Sequence, residues 1–403
     1  MTQLFKMAFR NLGRNRRRSL LSALAVAIGL ALLLLIAAII NGEMGGALQN
    51  SIQLQSGDLQ IRAISYDENK VSLDWKDLVA SPQQVIDQLK AIPQVTVATP
   101  RLFATGILTR GENSRGVQVI GIDPASPANQ IFRRGLLSGT FLTPDDREGI
   151  LVGKPLADKF GLKIGDQISL LVNTSNGDVS TQLFNVRGIY TTSTSSYDEG
   201  TVFMPLLKAQ TITGAQDHAS TIFIMLKNRD QADAVAAALK SPGYQVLTWR
   251  TLNQLIVQTE DFANSFMYFI YLIVLGITAT VVTNTLIMAV FERTREIGVL
   301  AAIGMKGGRI MAQFLTEGGL IAIGGLIGGL ILGALANAYF GRFGISVASA
   351  RVTGILMRDT IYADPTLQDT IALTIVTFVV TLIASVYPAV LAAQMEPVEA
   401  LHG

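Results

Sequence analysis

Four long apolar runs set the pattern of this chain. Ser19 to Ile40 is 22 residues without a charge, and Phe266 to Val290 is 25. A third run, from about Ile310 to Phe340, contains one carboxylate, Glu317, and a fourth, Thr370 to Gln394, contains none. About 20 apolar residues in a helix cross the roughly 30 Å hydrocarbon core of a bilayer, so each run is long enough. In lipid every backbone polar group must be bonded internally, which leaves helix as the state for isolated runs of this kind. Buried helices of a soluble core are shorter and broken by charge. The first run is also too long for the apolar core of a cleaved signal peptide, which is about 7–15 residues. It reads as a retained anchor.

Between the first two runs the periodicity changes. Leu59, Ile61 and Ala63 alternate with Gln60 and Arg62, as in a half-buried strand, and Ile168, Leu170, Val172 and Ile222, Ile224, Leu226 repeat the pattern. Ser81-Pro82 predicts an N-cap and first turn, with Val85, Ile86 and Leu89 on one face. Further helices are expected over Lys154 to Phe160, closed by Gly161, and over Asp230 to Leu239, with Pro242-Gly243 as breaker. Segment 42–262 has 221 residues, enough for its own core. Its middle, about 111–210, predicts a β-rich insert within an α/β part made from 43–110 and 211–260. Asp145-Asp146, Asp198-Glu199 and the run Thr191 to Ser196 read as solvated turns and loop.

Composition narrows the function. Charged residues are 15% and hydrophobic ones 49%, whereas soluble domains carry about 25% charge. A net charge of +2 gives no argument for nucleic acid. There are no cysteines and two histidines, His218 and His402, which argues against thiol chemistry and histidine-rich metal sites. No G-x-S-x-G, H-E-x-x-H or G-x-x-x-x-G-K-[ST] motif is present, and no metal or cofactor set is spaced for chemistry. His218 reads as an exposed loop residue, and the chain as no enzyme.

Flanking charge orients the runs. Residues 1–18 carry Lys6, Arg10, Arg14, Arg16, Arg17 and Arg18 and no acid; 291–309 carries four basic residues against Glu292 and Glu296. The positive-inside rule puts both on the cytoplasmic side, and the Arg cluster is read chiefly as a topology anchor. The expected fold is an integral membrane α-helical protein with four transmembrane helices and a large extracytoplasmic α+β domain. Its segments are a basic N-terminal helix 1–18, spans at 19–41, 263–290, 310–340 and 370–394, and the external domain 42–262. A cytoplasmic loop 291–309, an external loop 341–369 and a cytoplasmic tail 395–403 complete it.

Two segments stand out within this frame. In 291–309 the helix continues without a break from the second span. Ile297, Leu300, Ala301 and Gly304 share a face, Glu292–Arg295 and Arg293–Glu296 are spaced to pair, and Gly304 and Gly307-Gly308 end the helix. The result is a short amphipathic helix at the membrane surface. The third run is dense in glycine, and Gly324-x-x-x-Gly328 and Gly325-x-x-x-Gly329 allow close helix packing. Glu317 reads as a boundary carboxylate with a basic or backbone partner.

The stretch E-R-T-R-E-I-G-V-L-A-A-I-G-M (292–305) resembles the signature of the MacB/FtsX-like ABC transporter permease family. The ending Y-P-A-V-L-A-A-Q-M-E-P-V-E-A-L (387–401) and the opening 7–29 are similar to that family's tail and start. Segments 56–66, 187–214 and 284–298 resemble its lipoprotein-releasing LolC/LolE branch. The resemblance implies a permease subunit of the mechanotransmission type, in the inner or plasma membrane with both termini cytoplasmic. It implies ATPase coupling through Glu292, Arg293, Arg295, Glu296, Ile297, Gly298, Leu300 and Gly304, with helix packing through Gly324, Gly325, Gly328 and Gly329. The partners it implies are an ABC ATPase subunit that binds the ATP, a second permease subunit (homodimer or heterodimer), membrane lipids, and an extracytoplasmic adaptor or lipoprotein. With no phosphate loop here, the ATPase is expected to be a separate protein. Lipoprotein release or export of another membrane-associated substrate is the expected function. The alternative is an FtsX-like transducer that activates a partner such as a cell-wall hydrolase without transport.

Overall fold

The computed structural model describes residues 7–8, 10–11, 13–14, 16–68, 70, 73–239, 243–347 and 356–395. Lys6, Pro242, His402 and nearly all of 395–403 lie outside the described residues. The chain divides into two compact units: Met1–Met44 with Glu260–Ile345 and Ile361–Gly403, and Gly45–Thr259 with Ser346–Thr360.

Four long helices supply the first unit: Arg16–Ser51, Gln254–Glu292, Gly307–Phe343 and Leu367–Ala393. Each is long and apolar enough to cross a membrane; even the shortest, of 27 residues, is about 40 Å long at 1.5 Å per residue. All four start before their charge-free runs. Hydropathy marks the stretch that suits lipid, whereas helical hydrogen bonding continues into polar residues.

The glycines of the third long helix divide by face. A Cβ on Gly325 would lie 2.5 Å from Val26 Cβ, one on Gly329 2.9 Å from the Ala27 carbonyl oxygen, and one on Gly333 2.9 Å from Leu34 Cδ1. These three positions seat the third helix on the first. Gly328 borders the seam, 3.2 Å from Ala27 Cβ, and Gly324 faces open space. Gly318 meets the fourth helix, where its Cβ would be 2.2 Å from Ser385 Oγ. The fourth helix carries Pro388 inside it. Proline has no N–H, so the carbonyl four residues earlier, on Ala384, loses its helical donor. Thr283 Oγ1 of the second helix donates to that oxygen at 2.9 Å, the kind of replacement that makes proline tolerable in an apolar helix.

The second unit is built on one ten-stranded sheet. Its strands are β1 (Leu59–Ala63), β3 (Val95–Arg110), β4 (Asn113–Ile122), β5 (Leu136–Gly139), β6 (Gly149–Gly153), β7 (Gln167–Asn173), β8 (Val179–Tyr190), β9 (Thr201–Pro205), β11 (Thr221–Leu226) and β12 (Tyr244–Thr248). Two-residue strands β2 (Val79–Ala80) and β10 (His218–Ala219) pair separately. The main order is β12-β1-β11-β3-β4-β9-β6-β8-β5, with β7 bridging β3 and β8. No break separates 43–110 from 111–210. The 16-residue β3 pairs with β11 through its first half, with β7 near its end and with β4 along its other edge. One core cluster lies among β3, β4 and β6 to β9; another packs β1 and β11 against helices Pro82–Leu89 and Ala232–Ala238.

Several local expectations are corrected. β1 is buried on both faces: Gln60 Nε2 donates to the Gln55 carbonyl at 2.6 Å and Arg62 Nε to Gln60 Oε1 at 2.7 Å, so the polar side chains are satisfied internally. Ser81 precedes the helix at Pro82 but caps nothing; with φ of 45° it turns its hydroxyl to Asp217 at 2.8 Å. His218 lies in β10, its ring edge-on to Trp75 at 4.6 Å. Asp146 accepts from Arg187 at 3.1 Å. The end of the first long helix is also tied down. After Ser51 the chain takes one wide turn, Ile52–Ser56, with Gly57 N–H bonded to the Ile52 carbonyl at 2.8 Å. Buried Arg101 donates to the Leu54 carbonyl at 2.6 Å, placing a cation at a helix C-terminus. Asn253 accepts from Ser51 and donates to Ser56 at 3.0 Å.

Asp198 departs furthest from expectation. It is 1% exposed, in helix Ser195–Gly200. It accepts from Thr191 Oγ1 at 3.0 Å, Thr192 N–H at 2.8 Å and Thr192 Oγ1 at 2.7 Å. The run before it is therefore an ordered cradle, with Thr194 fully buried and Ser195 bonded to Asp359 at 2.7 Å. Burial pushes the Asp198 carboxyl up from 3.8 to about 6; the Thr192 and Thr191 bonds oppose the rise and Asp359 adds to it. Between these values the folded chain holds a proton that the unfolded chain has released. Stability from this group is therefore greatest at the acid end and falls as pH rises through about 4 to 6, by on the order of 2–3 kcal/mol. Asp198→Asn should flatten that part of the profile. Both tryptophans, Trp75 and Trp249, lie in this unit, so fluorescence-detected unfolding against pH checks it; an unchanged slope in the variant would contradict the assignment.

Candidate functional site

The site is the connector between the second and third long helices. Its sequence does not continue the second helix unbroken. That helix stops at Glu292, Arg293 leaves helical geometry with φ −113° and ψ 15°, and a separate helix runs over Thr294–Ala302. The connector helix closes by a Schellman arrangement: Met305 N–H bonds the Leu300 carbonyl at 3.0 Å and Gly304 N–H the Ala301 carbonyl at 3.0 Å. Gly304 has φ of 95°, a conformation that favours glycine. Gly307 and Gly308, expected to end this helix, instead begin the third long helix.

The break at Arg293 has a cause. Its guanidinium reaches Glu317 on the third helix, with Nη1 3.0 Å from Oε1 and 3.3 Å from Oε2. The two side chains are 6% and 3% exposed. Arg293 Nη2 also donates to the Asn11 carbonyl at 3.2 Å, and Asn11 Nδ2 donates to Glu317 Oε1 at 2.7 Å. A buried carboxylate without such partners would be strongly disfavoured. The expected Arg293–Glu296 pair does not form. Glu296 meets Arg14 at 2.6 Å, and Glu292 meets Arg18 at 2.7 Å. The N-terminal basic residues thus have specific partners on the connector, beyond any role in orientation. The exposed Arg14–Glu296 pair is worth at most about 1 kcal/mol; the buried pair is the one that fixes geometry.

The expected coupling residues fall into two groups. Arg293, Ile297 and Gly298 are buried within the unit, where Ile297 packs with Val290, Ile310, Phe314, Ala389 and Ala392. Leu300 is half-buried, and Glu292, Arg295, Glu296 and Gly304 are exposed. The apolar face read from the sequence is therefore the inward one. The outward face carries Val299, 42% exposed, and Ile303, 80% exposed, beside the exposed cations Arg295, Lys306 and Arg309. Sequence reasoning missed Val299, Ile303, Asn11, Arg14 and Arg18. An isoleucine on the polar side of an amphipathic helix was the available signal; nothing in the spacing linked Asn11 to Glu317. An exposed apolar spot flanked along the chain by charges of both signs, Glu296 and Arg295 before it and Lys306 and Arg309 after it, suits a protein surface with an apolar pocket and a polar rim.

These features define a class, a helical membrane protein with a large mixed α/β unit. Two family models cover it: the MacB-like periplasmic core domain matches residues 19–241 and the FtsX-like permease C-terminal matches 268–397. The chain belongs to this family and is an ABC transporter permease of the MacB/LolC/FtsX type. It is 22% identical to a lipoprotein-releasing system transmembrane protein LolC of Neisseria meningitidis, over 84% of each chain. It is 23% identical to a lipoprotein-releasing system transmembrane protein LolE of Haemophilus influenzae, over 79% of this chain and 80% of that one. A macrolide export ATP-binding/permease protein MacB of Acinetobacter baylyi is 23% identical over all of this chain and 59% of its own length. Among solved structures, the periplasmic region of MacB from Actinobacillus actinomycetemcomitans matches with a TM-score of 0.35 and 14% identity, covering 52% of this chain and 97% of that one.

Removing one partner of a buried ion pair typically costs about 3–5 kcal/mol, whereas replacing both with apolar residues is often neutral. Glu317→Ala should therefore destabilise the purified protein by about that amount, and Arg293→Met with Glu317→Leu should recover most of it. Thermal unfolding in detergent reads both; a double variant as unstable as the single one would contradict the pairing.

Proposed function

We propose that this chain is the membrane subunit through which a separate ABC ATPase drives an extracytoplasmic domain. The observation that carries this reading is the connector: a rigid helix anchored inward by Arg293–Glu317 and by Ile297, and presenting Val299, Ile303 and three cations outward. Both faces of a lever are thus present, one fixed to the bundle and one free for a partner. The connector and the termini lie on the cytoplasmic side in this reading, in line with the charge bias of 1–18 and 291–309. The unit of Gly45–Thr259 is then the extracytoplasmic domain.

A second permease subunit completes the assembly, with ATP bound by the ATPase. The substrate is a lipoprotein or another membrane-associated molecule, a reading supported by the names of the LolC and LolE relatives. An adaptor outside the membrane is a further partner.

The test is ATP hydrolysis in liposomes holding this chain with its ATPase. Ile303→Asp changes an exposed side chain and should leave thermal stability unchanged. It should weaken coupling by about 2 kcal/mol, roughly 30-fold in affinity, as loss of an interface anchor does. Substituting Gly304 strains a left-handed position, and exchanging Glu292 with Arg293 removes a buried cation, so neither separates coupling from folding. Full stimulation by the Ile303→Asp protein would contradict the proposal. Stimulation that releases no lipoprotein but activates a partner hydrolase would favour the FtsX-like transducer.

A further inference from the structure

The first unit holds a slot of about 640 Å³ among the first, second and fourth long helices. Its polar and apolar linings are segregated. Asn41, Asn264, Gln368 and Asp369 gather at one end, and Leu275, Gly276, Val376 and Val380 lie at the other. From Asn264 to Gly276, and from Asp369 to Val380, the helical rise gives a depth of about 16–18 Å. That is close to half of the roughly 30 Å hydrocarbon core, the reach of one leaflet. Small residues keep it open: Gly276 has nothing within 4 Å of its Cβ position, and Ala372 is exposed into the slot.

The mouth carries a charge. Thr366 caps the fourth helix, its Oγ1 accepting from the Asp369 N–H at 3.0 Å and donating to Asp369 Oδ2 at 2.6 Å, so Asp369 sits in the first turn. Asn41 Nδ2 donates to the same oxygen at 2.7 Å. These neutral donors leave the carboxylate's charge uncompensated: among the described residues no cation pairs with Asp369. The occupant that complements both ends of the slot is an apolar chain about one leaflet long whose head group carries a positive charge. A bilayer offers such a molecule in its amine-bearing phospholipids.

We propose that this slot binds one acyl chain of an ethanolamine phospholipid, with the ammonium held by Asp369 and Asn41 orienting the carboxylate. The site is a resident lipid site within one subunit, and it does not depend on the connector or its ATPase partner.

Native mass spectrometry of the delipidated full chain tests it. Phosphatidylethanolamine and phosphatidylglycerol with the same acyl chains are added in equal amounts. The native chain should retain phosphatidylethanolamine several-fold over phosphatidylglycerol. Asp369→Asn, which keeps an acceptor for the Thr366 hydroxyl but removes the charge, should bring the ratio near one. Ala372→Phe, which fills the slot without touching the cap, should lose both adducts. Equal retention of the two lipids by the native chain would overturn the proposal, as would a preference surviving in Asp369→Asn or adducts surviving in Ala372→Phe. A slot that takes no lipid and is covered instead by a second copy, seen as a dimer mass without adducts, would overturn it too.

Discussion

The geometry of the connector depends on one buried ion pair. Two charges taken out of water are expensive to keep, and attraction repays that only when the geometry is good and the remaining lone pairs and protons are bonded. Asn11 goes most of the way to meeting those terms, supplying a donor to the carboxylate and an acceptor to Arg293 Nη2, while Arg293 Nε is buried without a partner. Because Arg293 must reach the third helix, it leaves helical conformation, and the second helix ends there. Ile297 turns inward in consequence, and Val299 and Ile303 are left on the outside.

The rest of the first unit supports that arrangement by close backbone approach. Gly325, Gly329 and Gly333 let the third helix lie on the first, and Gly318 lets it meet the fourth. Where the fourth helix lacks a donor at Pro388, Thr283 supplies one. Helices in an apolar solvent gain nothing from hydrophobic burial against each other, so packing and such hydrogen bonds carry the association. In the second unit the corresponding role falls to buried polar links, Arg101 at the end of the first helix and Asn253 between Ser51 and Ser56.

Much of this was legible in the sequence because it is a matter of length and period. The four long helices follow from charge-free runs, and the strand at Gln167–Asn173 from its alternation. The signature at 292–305 carries the family resemblance by itself. What was not legible depends on partners distant in the chain. Spacing suggested Arg293–Glu296, but the partner of Arg293 lies 24 residues away on another helix. Alternation marked β1 as half-buried, yet both its faces are covered. Asp198 reads as a turn residue until Thr191 and Thr192 are seen to enclose it. A glycine repeat likewise names two candidate faces, 324/328 and 325/329, and only packing shows that the second carries the seam.

If the connector transmits ATP-driven motion, its outward face rests on an ATPase. A photo-crosslinking amino acid at position 303, activated in intact cells, reads that contact. An adduct with an ABC ATPase subunit is expected, and it should be lost when the crosslinker is moved to buried position 297. Adducts confined to lipid or to proteins outside the membrane would contradict that contact.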